Sequence, residues 1–103
     1  MNERPVLTVF RSRLREENVA DFQATVPRIE ELARAMPGFL EYKSFTAEDG
    51  ERVSIIAFDS AEHQDAWRRQ PEHVAAQRLG RERFYACYDL AICEVVRRTT
   101  FPP

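Results

Sequence analysis

The sequence predicts one α+β domain whose secondary-structure elements follow the order β-α-β-β-α-β. Four short stretches are rich in β-branched and aromatic residues, which is typical of strands. Two stretches between them repeat apolar residues every three or four positions, which is typical of amphipathic helices. The chain has 103 residues and no low-complexity linker, so we expect a single domain over residues 1–103 with its core at about 6–98.

The first strand and the first helix have clear sequence boundaries. Val6 to Leu14 lies between a proline and a polar run, which predicts a strand. Asn18 is the expected N-cap of the helix that follows, and Pro37-Gly38 is its expected stop. Pro27 does not change the phase of the apolar stripe, so we predict one helix through it. The stripe consists of Val19, Phe22, Val26, Ile29, Ala33 and Met36.

A hairpin is predicted in the middle of the chain. Its strands are Phe39 to Thr46 and Arg52 to Phe58, and the connection contains Asp49-Gly50. Asp-Gly between two β-rich runs is a strong hairpin signal because both residues tolerate positive φ angles.

The second helix and the last strand complete the order. Asp59-Ser60 is expected to open the helix, with Glu62 as a capping-box partner. Pro71 is well placed as the first residue of a new helical segment that ends at Leu79, with Gly80 as its stop. Phe84 to Val96 then reads as a long strand.

Right-handed crossovers place both helices on one face of a four-stranded antiparallel sheet, which is a ferredoxin-like arrangement. Ile55 and Ile56, like Ala91 and Ile92, are adjacent apolar residues on opposite faces of their strands. The face without helices is therefore apolar too, and an uncovered patch of that size is a liability in a monomer. We predict a homodimer packed through this sheet face.

Composition and charge disfavour several classes of protein. The net charge is −2 and no basic stripe stands out, which gives no indication of nucleic-acid binding. No apolar run approaches the ~18 residues that span a bilayer, and the N-terminus has no signal-peptide core. Cys87 and Cys93 lie roughly 20 Å apart on one strand, too far for a disulfide. We expect reduced cysteines and a cytoplasmic protein.

Several motifs resemble those of the antibiotic biosynthesis monooxygenase (ABM) domain family. They are Met36-Pro37-Gly38-Phe39-Leu40, Phe58-Asp59-Ser60 and Trp67-Arg68-Arg69-Gln70-Pro71-Glu72-His73, followed by Ala76-Gln77-Arg78-Leu79-Gly80-Arg81 and Phe84-Tyr85. The resemblance covers roughly Val6 to Arg98 and implies a dimeric α+β barrel with a pocket between sheet and helices in each subunit. Some members of this family oxygenate aromatic polyketides or quinols without metal or flavin, and others open haem.

The resemblance does not carry over either catalytic pattern intact. Ser54 and Phe58 stand where polyketide-oxidising relatives have a substrate-holding Asn and Trp. Trp67 matches the helix Trp of haem-degrading relatives. However, Phe10 replaces their first-strand Asn and Gln77 replaces their iron-binding His, and Gln is not a serviceable haem ligand.

His73 is the predicted catalytic residue. It falls in the first turn of the segment that Pro71 begins, where the positive end of the helix disfavours protonation. A neutral imidazole can accept a substrate proton or bond a phenol oxygen. The alternative is a local capping role. His63 is the other histidine, and we interpret it as a surface residue.

The predicted substrate-binding residues are mostly aromatic. Trp67 is the one tryptophan and suits either a stacking wall or a core anchor. Phe10, Phe58 and Tyr85 are expected to line an apolar pocket, and Phe45 is a further candidate. Ser54 is a further predicted substrate-binding residue, because the resemblance aligns it with the substrate-holding Asn of relatives. Tyr42, Tyr88 and Arg83 are candidate polar contacts.

The sequence implies no cofactor. The two histidines and two cysteines lack metal-ligand spacing, and no glycine-rich phosphate loop or nucleophile elbow is present. The leading hypothesis is a cofactor-independent monooxygenase of a small aromatic such as an anthrone or a quinol. A non-catalytic small-molecule binder, a haem-degrading enzyme and a purely structural dimer are the alternatives.

Overall fold

The computed structural model describes residues 3–103 and confirms the α+β class. Four strands and three α-helices follow one another in the predicted order, and a π-helical turn precedes the last strand. The strands are Val6–Leu14 (β1), Phe39–Thr46 (β2), Arg52–Phe58 (β3) and Tyr85–Glu94 (β4). The helices are Val19–Arg34 (α1), Ala61–Arg68 (α2) and Pro71–Leu79 (α3), and the π-helical turn is Gly80–Phe84.

The four strands form one antiparallel sheet in the order β2-β3-β1-β4. Phe10 on β1 lies opposite Ser54 on β3 and opposite Leu90 on β4. Because side chains alternate along a strand, Phe10 faces the helices whereas its neighbour Val9 points to the other side. We call the side of the sheet that carries no helix the outer face.

The core lies between the helices and the β2–β3 half of the sheet. Phe58 and Ala33 are fully buried, and Ile56 and Trp67 pack with them. Partly buried side chains of α1 and β2 close this cluster from the side. The apolar stripe of α1 therefore packs on the sheet as its spacing predicts.

Two helix starts differ from the sequence prediction. Asn18 is the residue before α1, but it has a left-handed φ of 66° and its side chain does not cap the helix. Its amide bonds the backbone carbonyl and guanidinium of Arg83 instead. Ser60, rather than Asp59, caps α2, because its Oγ accepts a hydrogen bond from the His63 backbone N–H. The proline-led start of α3 is confirmed.

The helix α3 ends at Leu79 as predicted, but Gly80 does not stop the helical segment. It has right-handed φ and ψ angles of −57° and −49°, and the chain continues through the π-helical turn to Phe84. The Arg15 guanidinium donates to the backbone carbonyls of Arg81, Glu82 and Tyr85, which supplies partners for the end of this turn. Phe84 is consequently a buried turn residue, and the last strand is Tyr85–Glu94 rather than 84–96.

The outer face is apolar at its centre and charged at one end. Val9 and Ile55 are paired neighbours there and are only half-buried. Two ion pairs at the end of the face join Arg11 to Glu51 and Arg13 to Asp49. Cys87 and Cys93 are exposed free thiols. Within residues 3–103, no helix has the length and apolar character needed to cross a membrane.

Candidate functional site

A cavity of about 240 Å³ lies between the helix-facing side of the sheet and the three helices. Its walls come from all four strands, from the helices and from the π-helical turn. The structure brings five of the six predicted site residues to this cavity: Phe10, Ser54, Trp67, His73 and Tyr85. Apolar and aromatic walls with a few polar groups are typical of a small-molecule site.

His73 is held in place by the first turn of α3. Gln70 precedes the helix, and its side-chain oxygen accepts a hydrogen bond of 2.8 Å from the His73 backbone N–H. Pro71 at the first helical position needs no donor partner, so the turn forms without strain. The imidazole ring then stacks on the Trp67 indole, with ring centroids 3.8 Å apart and an interplanar angle of 11°.

The hydrogen bonds of His73 fix which ring nitrogen carries the proton. Nδ1 lies 2.9 Å from the backbone carbonyl oxygen of Trp67. A carbonyl oxygen can only accept, so this shorter contact assigns the proton of neutral His73 to Nδ1. The Gln77 amide nitrogen lies 3.2 Å from the same Nδ1, and with this tautomer it donates to the Arg68 carbonyl and not to the imidazole. Nε2 has no hydrogen-bond partner within residues 3–103. It is also not fully buried, because no buried side-chain nitrogen or oxygen of these residues lacks a partner. Nε2 is thus the acceptor nitrogen of neutral His73, and it is not fully buried, as a general base requires.

Burial keeps the His73 imidazole neutral near pH 7. Desolvation lowers the pKa of His73 below its ordinary value of 6.5, and the hydrogen bond to the Trp67 carbonyl opposes this only in part. The direction agrees with the sequence prediction. The main cause is burial, whereas the prediction relied on the positive end of the helix.

Trp67 supports His73 more than it contacts the cavity. The indole is only 3% exposed, and His73 covers one of its faces. The Phe58 ring lies 6.4 Å from the indole between centroids, at an interplanar angle of 32°. The indole is therefore largely a platform for the imidazole, and little of it remains for a ligand to stack on. Of the two roles named from the sequence, the contacts of Trp67 are those of a core anchor, and a stacking wall for a ligand stays a prediction.

Phe58 does not line the cavity. Its side chain is fully buried between Trp67 and Phe39. The Phe58 and Phe39 rings pack edge-on, with 6.0 Å between their centroids. It shares the helix-facing side of β3 with Ser54, but it lies at the end of the strand that α1 and α2 cover. Phe58 therefore supports Trp67 from behind instead of facing a substrate.

Aromatic side chains form the opposite end of the cavity. Tyr85 packs edge-on against Phe10 at 5.2 Å and against Phe22 at 5.9 Å, and Tyr88 contacts Phe10 at 5.3 Å. Burial raises the pKa of Tyr85, so its phenol stays protonated at neutral pH. Leu90, on the same side of β4, is half exposed, so the cavity opens along this edge strand.

Polar groups in the middle of the cavity come from the strands. The hydroxyls of Ser54 and Ser44 lie 2.7 Å apart across β2 and β3, so each already has one partner. Burial raises the pKa of Tyr42 to about 12, which makes its hydroxyl a donor at all physiological pH values. Tyr42 and Tyr88, both named as polar contacts from the sequence, line the cavity.

Other candidates lie elsewhere. Arg83 is on the surface and pairs with Asp21. Gln77 reaches the cavity, but its side-chain amide donates to the backbone carbonyl of Arg68. His63 is a partly exposed residue whose Nδ1 lies 2.6 Å from Asp59, and this hydrogen bond raises the pKa of His63. Phe45 lies on the outer face, opposite Val53.

Arg52 is a charged cavity residue that sequence reasoning missed. It is the first residue of β3, and its guanidinium lies 4.7 Å from the centre of the Phe22 ring. The available signal was strand parity, because Arg52 is two residues before Ser54 and must share its face. An arginine at the start of a strand is usually interpreted as a surface residue. Only the alternation of side chains along β3 indicates that Arg52 lies on the same face as Ser54.

Gly80 controls the position of Tyr85. A Cβ on Gly80 would lie 2.5 Å from the Tyr85 ring, which is confined by Phe10 and Phe22. Alanine is favoured over glycine by about 1 kcal/mol in a helical conformation. Overpacking costs about 1–3 kcal/mol, which we expect to exceed the gain in helix propensity. Gly80→Ala should therefore lower the Tm and displace Tyr85. Thermal unfolding tests this, and a raised Tm would show that the ring moves freely.

No group of three His, Cys, Asp or Glu side chains within residues 3–103 is arranged to hold a metal ion. The chemistry that these residues themselves offer is one neutral base, several phenols and serine hydroxyls, and a cation, in a mostly apolar cavity.

Comparison with known proteins identifies related sequences and folds. The sequence profile of the family described as Antibiotic biosynthesis monooxygenase matches residues 5–79. An uncharacterized protein, YqjZ of Bacillus subtilis, is 32% identical over 99 residues, which cover 96% of this chain and 87% of that protein.

Solved structures share the fold at low sequence identity. SnoaB, a cofactor-independent oxygenase from Streptomyces nogalater, has a TM-score of 0.75 at 18% identity, over 97% of this chain and 99% of SnoaB. Rv0793 from Mycobacterium tuberculosis has a TM-score of 0.82 at 18% identity, over 93% of this chain and 99% of Rv0793. The fold is therefore common to these proteins.

Proposed function

The chain belongs to the antibiotic biosynthesis monooxygenase family, and we propose that it is a cofactor-independent monooxygenase of a small, electron-rich aromatic substrate such as a quinol or an anthrone. The observation that carries the proposal is the acceptor nitrogen Nε2 of a neutral His73 at the wall of an aromatic cavity. The fold shared with SnoaB, a cofactor-independent oxygenase, supports the same reaction class.

The proposed reaction begins with a proton transfer. Nε2 of His73 removes the acidic proton of the substrate, and the anion gives one electron to O2. The substrate radical and superoxide then combine to a peroxide anion, which takes the proton back from the His73 imidazolium. Its O–O bond breaks as the carbon that bears the peroxide loses its hydrogen as a proton, which leaves a carbonyl on that carbon and releases water. One oxygen atom stays in the product and the other leaves as water, so the substrate supplies all the electrons that O2 accepts.

The apolar cavity serves this reaction by orienting the substrate and excluding water. Phe10, Tyr85 and Tyr88 surround a flat ring on the side away from His73. Exclusion of water strengthens the hydrogen bond between substrate and base. Stacking on Trp67 fixes the imidazole plane, which limits the directions from which Nε2 can reach a proton.

Oxygen uptake by the metal-free protein tests the proposal. We expect uptake above the uncatalysed rate with at least one member of a panel of anthrones, hydroquinones and catechols, and product oxygen derived from ¹⁸O₂. Saturable binding of these compounds without oxygen consumption would instead support a small-molecule binder.

A non-catalytic small-molecule binder is the second candidate, because two positions that hold functional residues in relatives are occupied here by side chains bonded within the protein. Ser54 replaces a substrate-holding Asn and is bonded to Ser44. Gln77 replaces an iron-binding His and is bonded to the Arg68 carbonyl, which also disfavours haem degradation. Each side chain is thus engaged within the protein, which disfavours the role of the residue that it replaces.

We further propose that the protein is a homodimer packed through the outer face, and that it resides in the reducing cytoplasm, where Cys87 and Cys93 remain thiols. The half-buried pair Val9 and Ile55 lies at the centre of this face, which no helix within residues 3–103 covers. A second copy brings two such faces together and removes both from water.

We expect Ile55→Asp to convert a dimer into a monomer, because the change buries an unpaired charge at the centre of the interface. Light scattering at micromolar concentration measures the result. Val74→Asp on the exposed side of α3 is the matched control and should leave the dimer intact. A monomeric wild-type protein would contradict the proposal.

A further inference from the structure

Arg52 differs from the other partly buried arginines in lacking an acceptor. Arg13 pairs with Asp49, and Arg15 donates to three backbone carbonyls. The Arg52 side chain has no hydrogen bond or ion pair with any residue from 3 to 103, and its guanidinium lies over the Phe22 ring. A partly buried guanidinium that lacks an acceptor is costly, so its position calls for an anionic partner.

The cavity around Arg52 contains no negative charge. None of its lining residues is an aspartate or a glutamate, whereas Arg52, Arg68 and Arg81 all lie on its walls. Arg68 is paired with Asp65 outside the cavity. The Arg52 charge is close enough to Tyr42 and Tyr85 to act against the raised pKa values of both phenols. The cavity therefore favours an anionic group at this position.

Arg52 and His73 lie at opposite ends of the cavity. Arg52 is opposite Ser12 on β1, and Ile56, four residues further along β3, is opposite Thr8. Four residues of strand span about 13 Å. The side chain of Gln64 on α2 contacts Thr8, and the Trp67–His73 stack follows one helical turn later. A flat ligand between these ends contacts the base with one edge and the cation with the other.

We infer that the aromatic substrate of this cavity carries a carboxylate, which Arg52 binds at the end opposite His73. The inference rests on the proposed function and specifies its substrate class. A guanidinium offers paired N–H donors that match the two oxygens of a carboxylate. The Tyr85 phenol, kept protonated by burial, provides a further donor on this side of the cavity.

The test compares the binding of 6-hydroxy-2-naphthoate with that of its neutral isostere, 6-hydroxy-2-naphthamide, by isothermal titration calorimetry. The hydroxyl and the carboxylate occupy opposite ends of the two-ring system, as His73 and Arg52 do in the cavity. We expect the wild-type protein to bind the naphthoate about tenfold or more tightly, as for a charge-assisted hydrogen bond. Equal affinities, or no binding of the naphthoate, would overturn the inference.

The variant Arg52→Met keeps an apolar contact with Phe22 but removes the charge, and it should abolish the preference because it weakens the binding of the naphthoate far more than that of the naphthamide. Arg52→Lys should keep part of the preference. Arg11→Met removes a charge from the outer face and is the matched control, with the wild-type preference intact. A preference that survives in Arg52→Met would also overturn the inference. If that variant does not fold, the wild-type comparison and Arg52→Lys decide.

The binding measurements test the anion site, and the oxygen-uptake measurements test the monooxygenase activity, so either proposal can be rejected without the other. Loss of the naphthoate preference in Arg52→Met, without oxygen uptake by any substrate, would support the anion site and reject the monooxygenase. Oxygen uptake with neutral quinols, without a naphthoate preference, would reject the anion site alone.

Discussion

Replacing His73 with glutamine is expected to lower kcat for oxygen uptake by about 10²–10⁴-fold, the range typical of a lost general base. Glutamine can still bond the Trp67 carbonyl through its amide N–H, so the local structure is preserved while the proton acceptor at Nε2 is lost. Steady-state oxygen uptake with a quinol or anthrone that proves active measures the effect. An unchanged kcat in a folded variant would remove His73 as the base.

His63→Gln is the matched control for this prediction. His63 is the other histidine of the chain, and it bonds Asp59 at the protein surface. We expect its replacement to leave kcat within about twofold of wild type, because surface substitutions away from a site have small effects. Equal losses in both variants would indicate a general effect on folding instead of a catalytic role for His73.

The pH dependence of kcat/KM should identify the same group. Because burial lowers the pKa of His73, the neutral base is the main form above about pH 6.5. Activity should therefore be level near neutral pH and fall as the pH drops through the lowered pKa, where the imidazole becomes charged. This acidic limb should be absent from any residual activity of His73→Gln, and its persistence would assign the limb to another group.

Strand positions followed directly from the sequence because two local signals agree there. The bounds of β2 and β3 match the prediction, since β-rich runs flank Asp49-Gly50 and Gly50 has the expected positive φ of 89°. The π-helical turn was not predictable in the same way. Gly80 carries a helix-stop signal, but tertiary contacts of Arg15 with the following carbonyls keep the chain helical.

The sequence predicted which types of residue form the candidate site, but it did not predict which of those residues contact one another. Aromatic character and the resemblance to the family pointed to Trp67 and His73, which the structure stacks on each other. The sequence could not separate Phe58 from Phe10, because both are phenylalanines on strands and only the helix packing decides which one is covered. Arg52 was missed because its burial depends on Phe22, thirty residues away along the chain.

Phe58→Ala is expected to destabilise the protein by about 3–5 kcal/mol, the range for removing a buried aromatic side chain. The side chain is fully buried and packs against Trp67 and Phe39, so its loss leaves a cavity that the sheet cannot close. Denaturant unfolding at fixed protein concentration measures the change. Phe101→Ala, whose ring is 92% exposed in the C-terminal tail, is the matched control and should change the free energy of unfolding by less than about 0.5 kcal/mol.

A milder variant separates the two interpretations of Phe58. Phe58→Leu keeps an apolar side chain in the core but removes the ring that supports Trp67. If Phe58 acts from behind Trp67, the variant should fold, shift the emission of this one tryptophan, and lower kcat by loosening the His73 stack without a matching rise in KM. A raised KM with unchanged kcat would instead mean that Phe58 contacts the substrate directly, as the sequence alone suggested.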